Sequence, residues 1–421
     1  MTERAGDRDV AVVTPWYPNP QQEWAGSFVE AMVGATAPGC GDVTVYHTEA
    51  WLMRQPPEEV EAARAAHRRL LPVALHAQPA VAGARLLRVP VPTVPEYTFA
   101  DLAREHAAWL REALRGEPIP APVVHAHVGL RGGWTALENA RPDARVFVTE
   151  HASFLDKVLE QPDSRELYEQ VLDRCDGFFV VTDVLRDRLA EAFPALAGKI
   201  RPISNPISFD TPRPRPVTEL RRWLYVGTLV ERKGVGPLLE AFAACRAEDP
   251  GLTLTMAGTG ALAGPLAERA AELGVDGAVT FLGAVPPDRA ARLMREHDLL
   301  VHAARYETFG VTIIEAVAAG MPVLVTRCGG PERTLAGVAD AVGEMIDVDD
   351  DPAVIVAGYR RLRDRFPDGL DLPRGRDVLD GRFGYRTVAE AHHRHWFPDG
   401  AADGATESDT DTEAAEEREV A

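Results

Sequence analysis

The stretch ARYETFGVTIIEAVAAGMPVLVT, residues 304–326, decides the fold. An apolar run, DLLVHAA, leads into it and a second, PVLVT, closes it. Both have the length and content of buried strands, and the segment between them has the length of a short helix. The unit therefore reads as strand, loop, helix, strand, the repeating element of a parallel sheet covered on both faces. Glu307 falls on the loop after the first strand, Phe309-Gly310 follows, and the helix is expected to begin at Val311 or Thr312. Its first-turn N–H groups would point to the same place as the loop, a setting suited to phosphate. Glu315 lies near the start of that helix, so the two carboxylates could face one ligand from either side of the phosphate position. The alternative is an ordinary capped helix with two solvated glutamates.

Two further stretches repeat this grammar. In YVGTLVERKGVGPLLEAF, 225–242, a strand ends at Gly227, and Thr228, Arg232 and Lys233 stand on the loop before a helix. In MAGTGALAGPL, 256–266, Gly258 and Gly260 make a glycine turn before another helix. Lys233 stands out because the chain holds only three lysines, at 157, 199 and 233, among 45 Lys and Arg. A site that keeps lysine in such a background calls for a compact ammonium, here to neutralise a diphosphate with Arg232 beside it. A plain strand-to-helix turn with surface cations is the competing reading.

Outward from these stretches the alternation continues through most of the 421 residues. Strands are predicted near 9–14, 42–47, 85–89, 123–127, 145–149, 177–182 and 200–204, then, after a Pro-rich break, near 222–227, 252–257, 278–282, 298–302, 322–326 and 344–347. Helix-like segments lie between them. The expectation is an α/β protein of two doubly wound, Rossmann-like domains facing across a cleft. Its parts are a flexible N-terminus at 1–8, a first domain at 9–208, a linker at 209–217, a second domain at 218–382, a final helix at 383–397 and an acidic tail at 398–421. Open parallel sheets bind ligands at the carboxyl ends of their strands, so two in tandem suit a two-substrate reaction.

Composition narrows the function. The formal charge is −19, and residues 398–421 carry nine Asp/Glu and one Arg, so −8 of it lies in the tail. That tail has almost no large apolar residues and is expected to be disordered. The rest is mildly acidic, which argues against nucleic-acid binding through a basic face. No apolar run reaches membrane-spanning length and no signal-peptide core is evident, so the expected location is cytoplasmic. The four cysteines are dispersed and form no metal or disulfide pattern. The run Asp349–Asp351 reads as loop charge rather than a metal site, and His125 and His127, alternating on one strand, as structural.

Taken together, YVGTLVERKG, LTMAGTG, VTFLGAV and HAARYETFGVTIIEAVAAGMPVLVTRCGGPE resemble, in order and spacing, the donor domain of family 4 retaining glycosyltransferases. The E-x7-E motif, Glu307 to Glu315, is the strongest marker. TPWYPNPQQEWAGSFVEAMV (14–33), HAHVG (125–129), TEHASF (149–154) and ISNPIS (203–208) fit the family's first domain more loosely. The resemblance implies the GT-B fold, with the final helix crossing back to the first domain. It also implies roles. Glu307 would bind the donor sugar's hydroxyls and Glu315 the ribose. The amides of Phe309, Gly310 and Val311 would meet sugar and diphosphate. Lys233 would bind the diphosphate, Gly26 would meet it from the other domain, and His151 would lie near the reacting centre. Backbone near Leu282–Val285 would meet the base. Thr228 stands where the family often carries an arginine, and Arg232 is the candidate replacement.

The implied reaction moves a sugar, with retention, from a UDP- or GDP-linked donor to a hydroxyl acceptor, without metal or other cofactor. The acceptor could be a glycan, a lipid-linked glycan or a small metabolite. EAARAAHRRLL (61–71) offers a small basic patch through which a membrane surface could be met. Other readings are a phosphorylase or sugar-nucleotide epimerase of related fold, or a non-catalytic nucleotide-sugar-binding protein. The motifs leave acceptor, base and oligomeric state open.

Overall fold

The structure, a computed structural model, describes residues 6–74, 76–152 and 154–398. The start of the predicted flexible N-terminus (1–5) and residues 399–421 of the predicted acidic tail lie outside the described residues.

Among the described residues fourteen strands form two sheets. In the first are β1 (Val10–Thr14), β2 (Val43–Leu52), β3 (Gln78–Pro79), β4 (Arg85–Thr93), β5 (Val123–His127), β6 (Arg145–Glu150), β7 (Gly177–Val180) and β8 (Ile200–Pro202). Their order is β3-β4-β2-β1-β5-β6-β7-β8, parallel except for the two-residue β3 on the edge. The second sheet holds β9 (Arg222–Val226), β10 (Thr253–Ala257), β11 (Val279–Gly283), β12 (Leu299–His302), β13 (Val323–Thr326) and β14 (Gly343–Ile346) in the order β11-β10-β9-β12-β13-β14, all parallel. Central strands such as VAVVT and VLVT are buried along their whole length, as strands covered on both faces must be.

The strand order reverses between β1 and β5 in one sheet and between β9 and β12 in the other. At such a point the two flanking loops diverge to opposite faces and leave a crevice beyond the carboxyl ends. The loops after β1, β5 and β6 and those after β9 and β12 carry most of the candidate residues; Gly258 follows β10 and Leu282 lies on β11.

Three helices follow β14: Pro352–Arg365, Leu372–Phe383 and Tyr385–Trp396. The last returns to the first sheet's body. Trp396 is fully buried in an apolar cluster with Val10, Val12, Phe147 and Phe179, and the Arg145 guanidinium donates to the carbonyls of His395 and Trp396. Between the lobes, Arg333 and Asp187 approach to 3.8 Å. No helix among the described residues is long and apolar enough to cross a membrane.

Candidate active site

At the carboxyl end of β12, Glu307 is held on both sides by backbone. Its N–H donates to the Cys328 carbonyl (3.2 Å), and its carbonyl accepts from Gly330 (2.8 Å). The loop after β9 delivers Lys233, 74 residues away in sequence, because β9 and β12 are neighbours in the sheet. The Lys233 ammonium donates to Glu307 Oε2, and His302 Nε2 lies 3.6 Å from the same oxygen. Oε1 accepts from the Thr308 amide at 3.0 Å. Burial by itself would raise this carboxyl. His302 and Lys233 outweigh that effect and hold Glu307 well below the usual carboxylate range.

Glycine makes the approach of these two loops possible. Gly234 has φ 63° and begins the helix Val235–Glu248. A Cβ there would lie 1.8 Å from the Ala303 carbonyl oxygen, so any side chain would push the Lys233 loop off β12. In the first lobe Gly26, φ 71°, plays the same part for the helix Ser27–Thr36. A Cβ would meet the Trp16 carbonyl carbon at 2.4 Å.

Glu315 stands in the first turns of the helix Val311–Ala318, which starts directly after Gly310. The first intrahelical bonds are those of Ile313 and Ile314 to the Gly310 carbonyl, so the Val311 and Thr312 amides precede the helical ladder. The Phe309 side chain is buried against Phe383, which anchors the loop from beneath. Glu315 is mostly buried, and among the described residues its carboxylate has no hydrogen-bond partner. Burial pushes its pKa up to about 7. It faces Tyr385 of the returning helix, whose phenol is raised by burial and by the carboxylates of Glu315, Glu30 and Asp210. Glu30 belongs to the first lobe, so Glu315 lies where the two lobes meet.

The other donor-side residues are more exposed. Arg232 is exposed, and its side chain has no partner among the described residues. Its carbonyl accepts from the Arg305 amide at 2.9 Å. Thr228 is exposed, and its carbonyl accepts the Tyr225 hydroxyl at 2.8 Å. Gly258 links the loops after β10 and β11, donating to the Gly283 carbonyl at 2.8 Å. Leu282, on edge strand β11, leaves 38% of its surface exposed, an apolar face of the kind a planar base could cover. Asp351 caps the helix Pro352–Arg365 and Asp350 pairs with Arg305, so the aspartate run is structural.

His151 follows β6. Its Nε2 is 2.9 Å from His127 Nδ1, and its ring lies 4.4 Å from that of Phe28. Burial is the main cause of a His151 pKa near 3, with nearby His392 adding to it and Asn205 opposing. It is therefore neutral over the ordinary pH range. His125 bonds Thr149 (2.7 Å), in line with a structural role.

Two site features were not evident in the sequence. One is His302, a polar residue ending an apolar strand, where that very contrast was the available signal. The other is Glu150, in the quoted TEHAS, which is fully buried. It accepts from Gly129 (3.2 Å), His151 (2.8 Å), Ala152 (2.8 Å) and the Tyr168 hydroxyl (2.7 Å), and so holds the His151 loop. Of the arginines of EAARAAHRRLL only Arg64 is buried, and Arg68 and Arg69 are exposed. Arg64 pairs with Glu105 at 2.7 Å and Arg68 with Glu112 at 3.0 Å, which leaves Arg69 of the three unpaired.

Two doubly wound lobes, each with a strand-order switch point, match the GT-B architecture, and a Lys–Glu pair stands at the second lobe's switch point. Comparison with known proteins agrees. Residues 42–211 match the model described as Glycosyltransferase Family 4, and residues 210–362 match that of Glycosyl transferases group 1. The chain belongs to the family 4 glycosyltransferases. It is similar to a glycogen synthase of Mycobacterium tuberculosis, 31% identical over 47% of this chain and 51% of the relative. It is also similar to a D-inositol 3-phosphate glycosyltransferase of Rhodococcus jostii, 29% identical over 53% and 55%. The chain thus spans about half the length of the curated relatives it matches. In fold it is similar to a sucrose-phosphate synthase of Thermosynechococcus elongatus, with TM-score 0.68 and 17% identity over 92% of this chain and 98% of that one.

Proposed function

We propose that this protein is a retaining glycosyltransferase that moves a sugar from a nucleotide diphosphate sugar, UDP- or GDP-linked, to a hydroxyl acceptor. One observation carries the reading: Lys233 and Glu307 are brought into contact at the β9/β12 switch point, with Glu315 unpaired one helical turn beyond. An ammonium and two carboxylates around a helix N-terminus match what a diphosphate flanked by two sets of sugar hydroxyls requires. The relatives named above, a glycogen synthase and a D-inositol 3-phosphate glycosyltransferase, support the same reading.

In this mechanism Glu307, kept ionised by Lys233 and His302, accepts hydrogen bonds from the donor sugar's hydroxyls and fixes its orientation. Glu315 accepts from the ribose diol. Lys233, Arg232 and the Val311 and Thr312 amides stabilise charge on the departing diphosphate. The bond between the anomeric carbon and the diphosphate breaks while the acceptor oxygen bonds to the same face. The acceptor's proton passes to the departing diphosphate oxygen, and the configuration is retained. Neutral His151 and Gly26 border this centre from the first lobe. No side-chain nucleophile and no metal are needed, and we place the reaction in the cytoplasm. In the basic helix Arg64 and Arg68 are each paired with a glutamate, and of its three arginines only Arg69 has no ion pair among the described residues, so we give membrane docking no part in this reading.

The test is a panel of UDP- and GDP-sugars, scored for binding by thermal shift and for hydrolysis. One nucleotide family should bind and turn over, and both responses should be lost in Lys233→Met and Glu307→Gln. Binding that persists unchanged in both variants would remove the assigned roles. Binding without turnover on any acceptor would leave a nucleotide-sugar-binding protein.

A further inference from the structure

The first lobe carries a second cationic feature outside the donor machinery. Arg131 lies in the first turn of the eleven-residue helix Gly129–Asn139, immediately beyond the carboxyl end of β5. Its guanidinium carbon sits 5.4 Å from the centre of the Trp16 ring. Trp16 packs edge-on against Phe28 (6.1 Å), and Phe28 lies against His151 (4.4 Å). Arg131 is therefore two aromatic contacts from the residue that borders the proposed reacting centre.

Glu150 is the carboxylate that acts on Arg131, and it does so without bonding it. Among the described residues its guanidinium makes no hydrogen bond and no ion pair. The charged and titratable groups that act on it are Glu150 and His106. Glu150 is within electrostatic range, but both its oxygens are already committed to four donors. His106 is fully buried, bonded through Nδ1 to Thr48 (2.8 Å), and burial keeps it neutral. Burial also lowers the Arg131 pKa to about 10, with Glu150 opposing, as expected of a largely enclosed cation short of a counter-charge.

The backbone beside it has the same polarity. The helix is entered through Val128, a β-branched residue with φ 69°, one of three non-glycine residues at positive φ among the described residues. Strain of this kind persists where the surroundings enforce a conformation. Here it turns the first amides of the helix toward the strand ends. The Gly129 amide is used by Glu150, and the helical ladder begins with Gly132 to the Val128 carbonyl (2.9 Å), so the Leu130 and Arg131 amides come before it. A partly buried guanidinium with no hydrogen-bond partner among the described residues thus shares the first turn of the helix with unused N-terminal donors.

We propose that Arg131, with the Leu130 and Arg131 amides, binds an anionic group, phosphate or carboxylate, on the acceptor. The acceptor is then a hydroxyl compound that carries its own negative charge, and Trp16 is the apolar wall against which it lies. This rests on the transferase reading only for the word acceptor, since the anion site itself can be measured without turnover.

The experiment is calorimetric titration of the full chain with inorganic phosphate and, separately, acetate. It uses wild type, Lys233→Met to remove the donor-lobe cation, and Lys233→Met combined with Arg131→Met. In Lys233→Met one phosphate site should remain, with a Kd in the millimolar range, and adding Arg131→Met should weaken it at least tenfold. Tighter binding of phosphate than of acetate would assign a phosphorylated acceptor, and the reverse a carboxylate. If Arg131→Met does not fold, Arg131→Lys keeps the charge but loses the planar fork, and should weaken binding about three- to tenfold. Phosphate binding to Lys233→Met that is absent, or unchanged by either Arg131 substitution, overturns the proposal. UDP and GDP titrated into wild type and Arg131→Met report on the donor reading independently: failure there with the phosphate site intact would sink that reading and leave the anion site standing.

Discussion

Replacing Glu315 with glutamine should stabilise the protein above neutral pH while weakening nucleotide binding. Its carboxylate is mostly buried, without a hydrogen-bond partner among the described residues, and burial moves its pKa from an ordinary 4.5 to about 7. A displacement of that size corresponds to roughly 3 kcal/mol. The sign follows from proton binding. Below pH 4.5 the group is protonated in folded and unfolded chains alike and has no effect. Between 4.5 and 7 the folded chain keeps a proton that the unfolded chain has lost, so stability declines as pH rises. Above 7 the whole cost is present. Glutamine has nearly the same shape and no charge to desolvate. Allowing for relaxation and water around a crevice residue, Glu315→Gln should gain about 1–3 kcal/mol at pH 8, a rise in Tm on the order of 2–6 °C, and about nothing at pH 4.5. Thermal unfolding followed by circular dichroism at the two pH values measures this. In parallel, nucleotide affinity in wild type should improve as pH rises through about 7, since the ribose hydroxyls favour the ionised form, and this dependence should disappear in the variant. A fall in Tm at pH 8, or the same gain at both pH values, would refute the reasoning by showing that the carboxylate is satisfied in the folded chain.

Other outcomes follow from the same geometry. Lys233→Met and Glu307→Gln should each cost about 2–4 kcal/mol in denaturant unfolding, and the double variant less than their sum by about 1–3 kcal/mol, because each single change strands a mostly buried partner. Additive costs would mean that the pair does not exist in solution. Gly234→Ala should destabilise by at least about 2 kcal/mol and abolish donor binding, since its Cβ has no room beside the Ala303 carbonyl; a variant with wild-type stability contradicts the loop geometry. Thr228→Arg should tighten donor binding by about three- to tenfold, read by thermal shift with the nucleotide, by restoring a second cation at the end of β9. His151→Ala should lower kcat more than donor affinity, and a loss of nucleotide binding instead would move His151 from the reacting centre to the donor site.

Much of the architecture was legible in the chain because parallel strands buried on both faces advertise themselves as short apolar runs. Every strand predicted near 123–127, 222–227 or 322–326 lies within a residue or so of the observed one. The strands from Val43 and Arg85 run several residues further than expected, to Leu52 and Thr93. They pair with each other along that extension, and Trp51 and Leu52 remain exposed, so apolar content alone did not mark the ends. The helices Pro352–Arg365 and Leu372–Phe383 were not anticipated either. Their apolar stripes are narrow, and they are fixed by packing on the second lobe.

Local chemistry belongs to the sequence: a glycine before a helix, a carboxylate one turn inside it, a lone lysine on a loop. These depend on neighbours a few residues away, so spacing alone specifies them. Which residues meet belongs to the tertiary structure. Sheet order set Lys233 on Glu307 across 74 positions, buried His302 against the same oxygen, and left Glu315 and Arg131 without hydrogen-bond partners among the described residues. Protonation, strength and ligand preference at this site come from desolvation and from charges distant in sequence, and only the folded chain brings those within reach of one another.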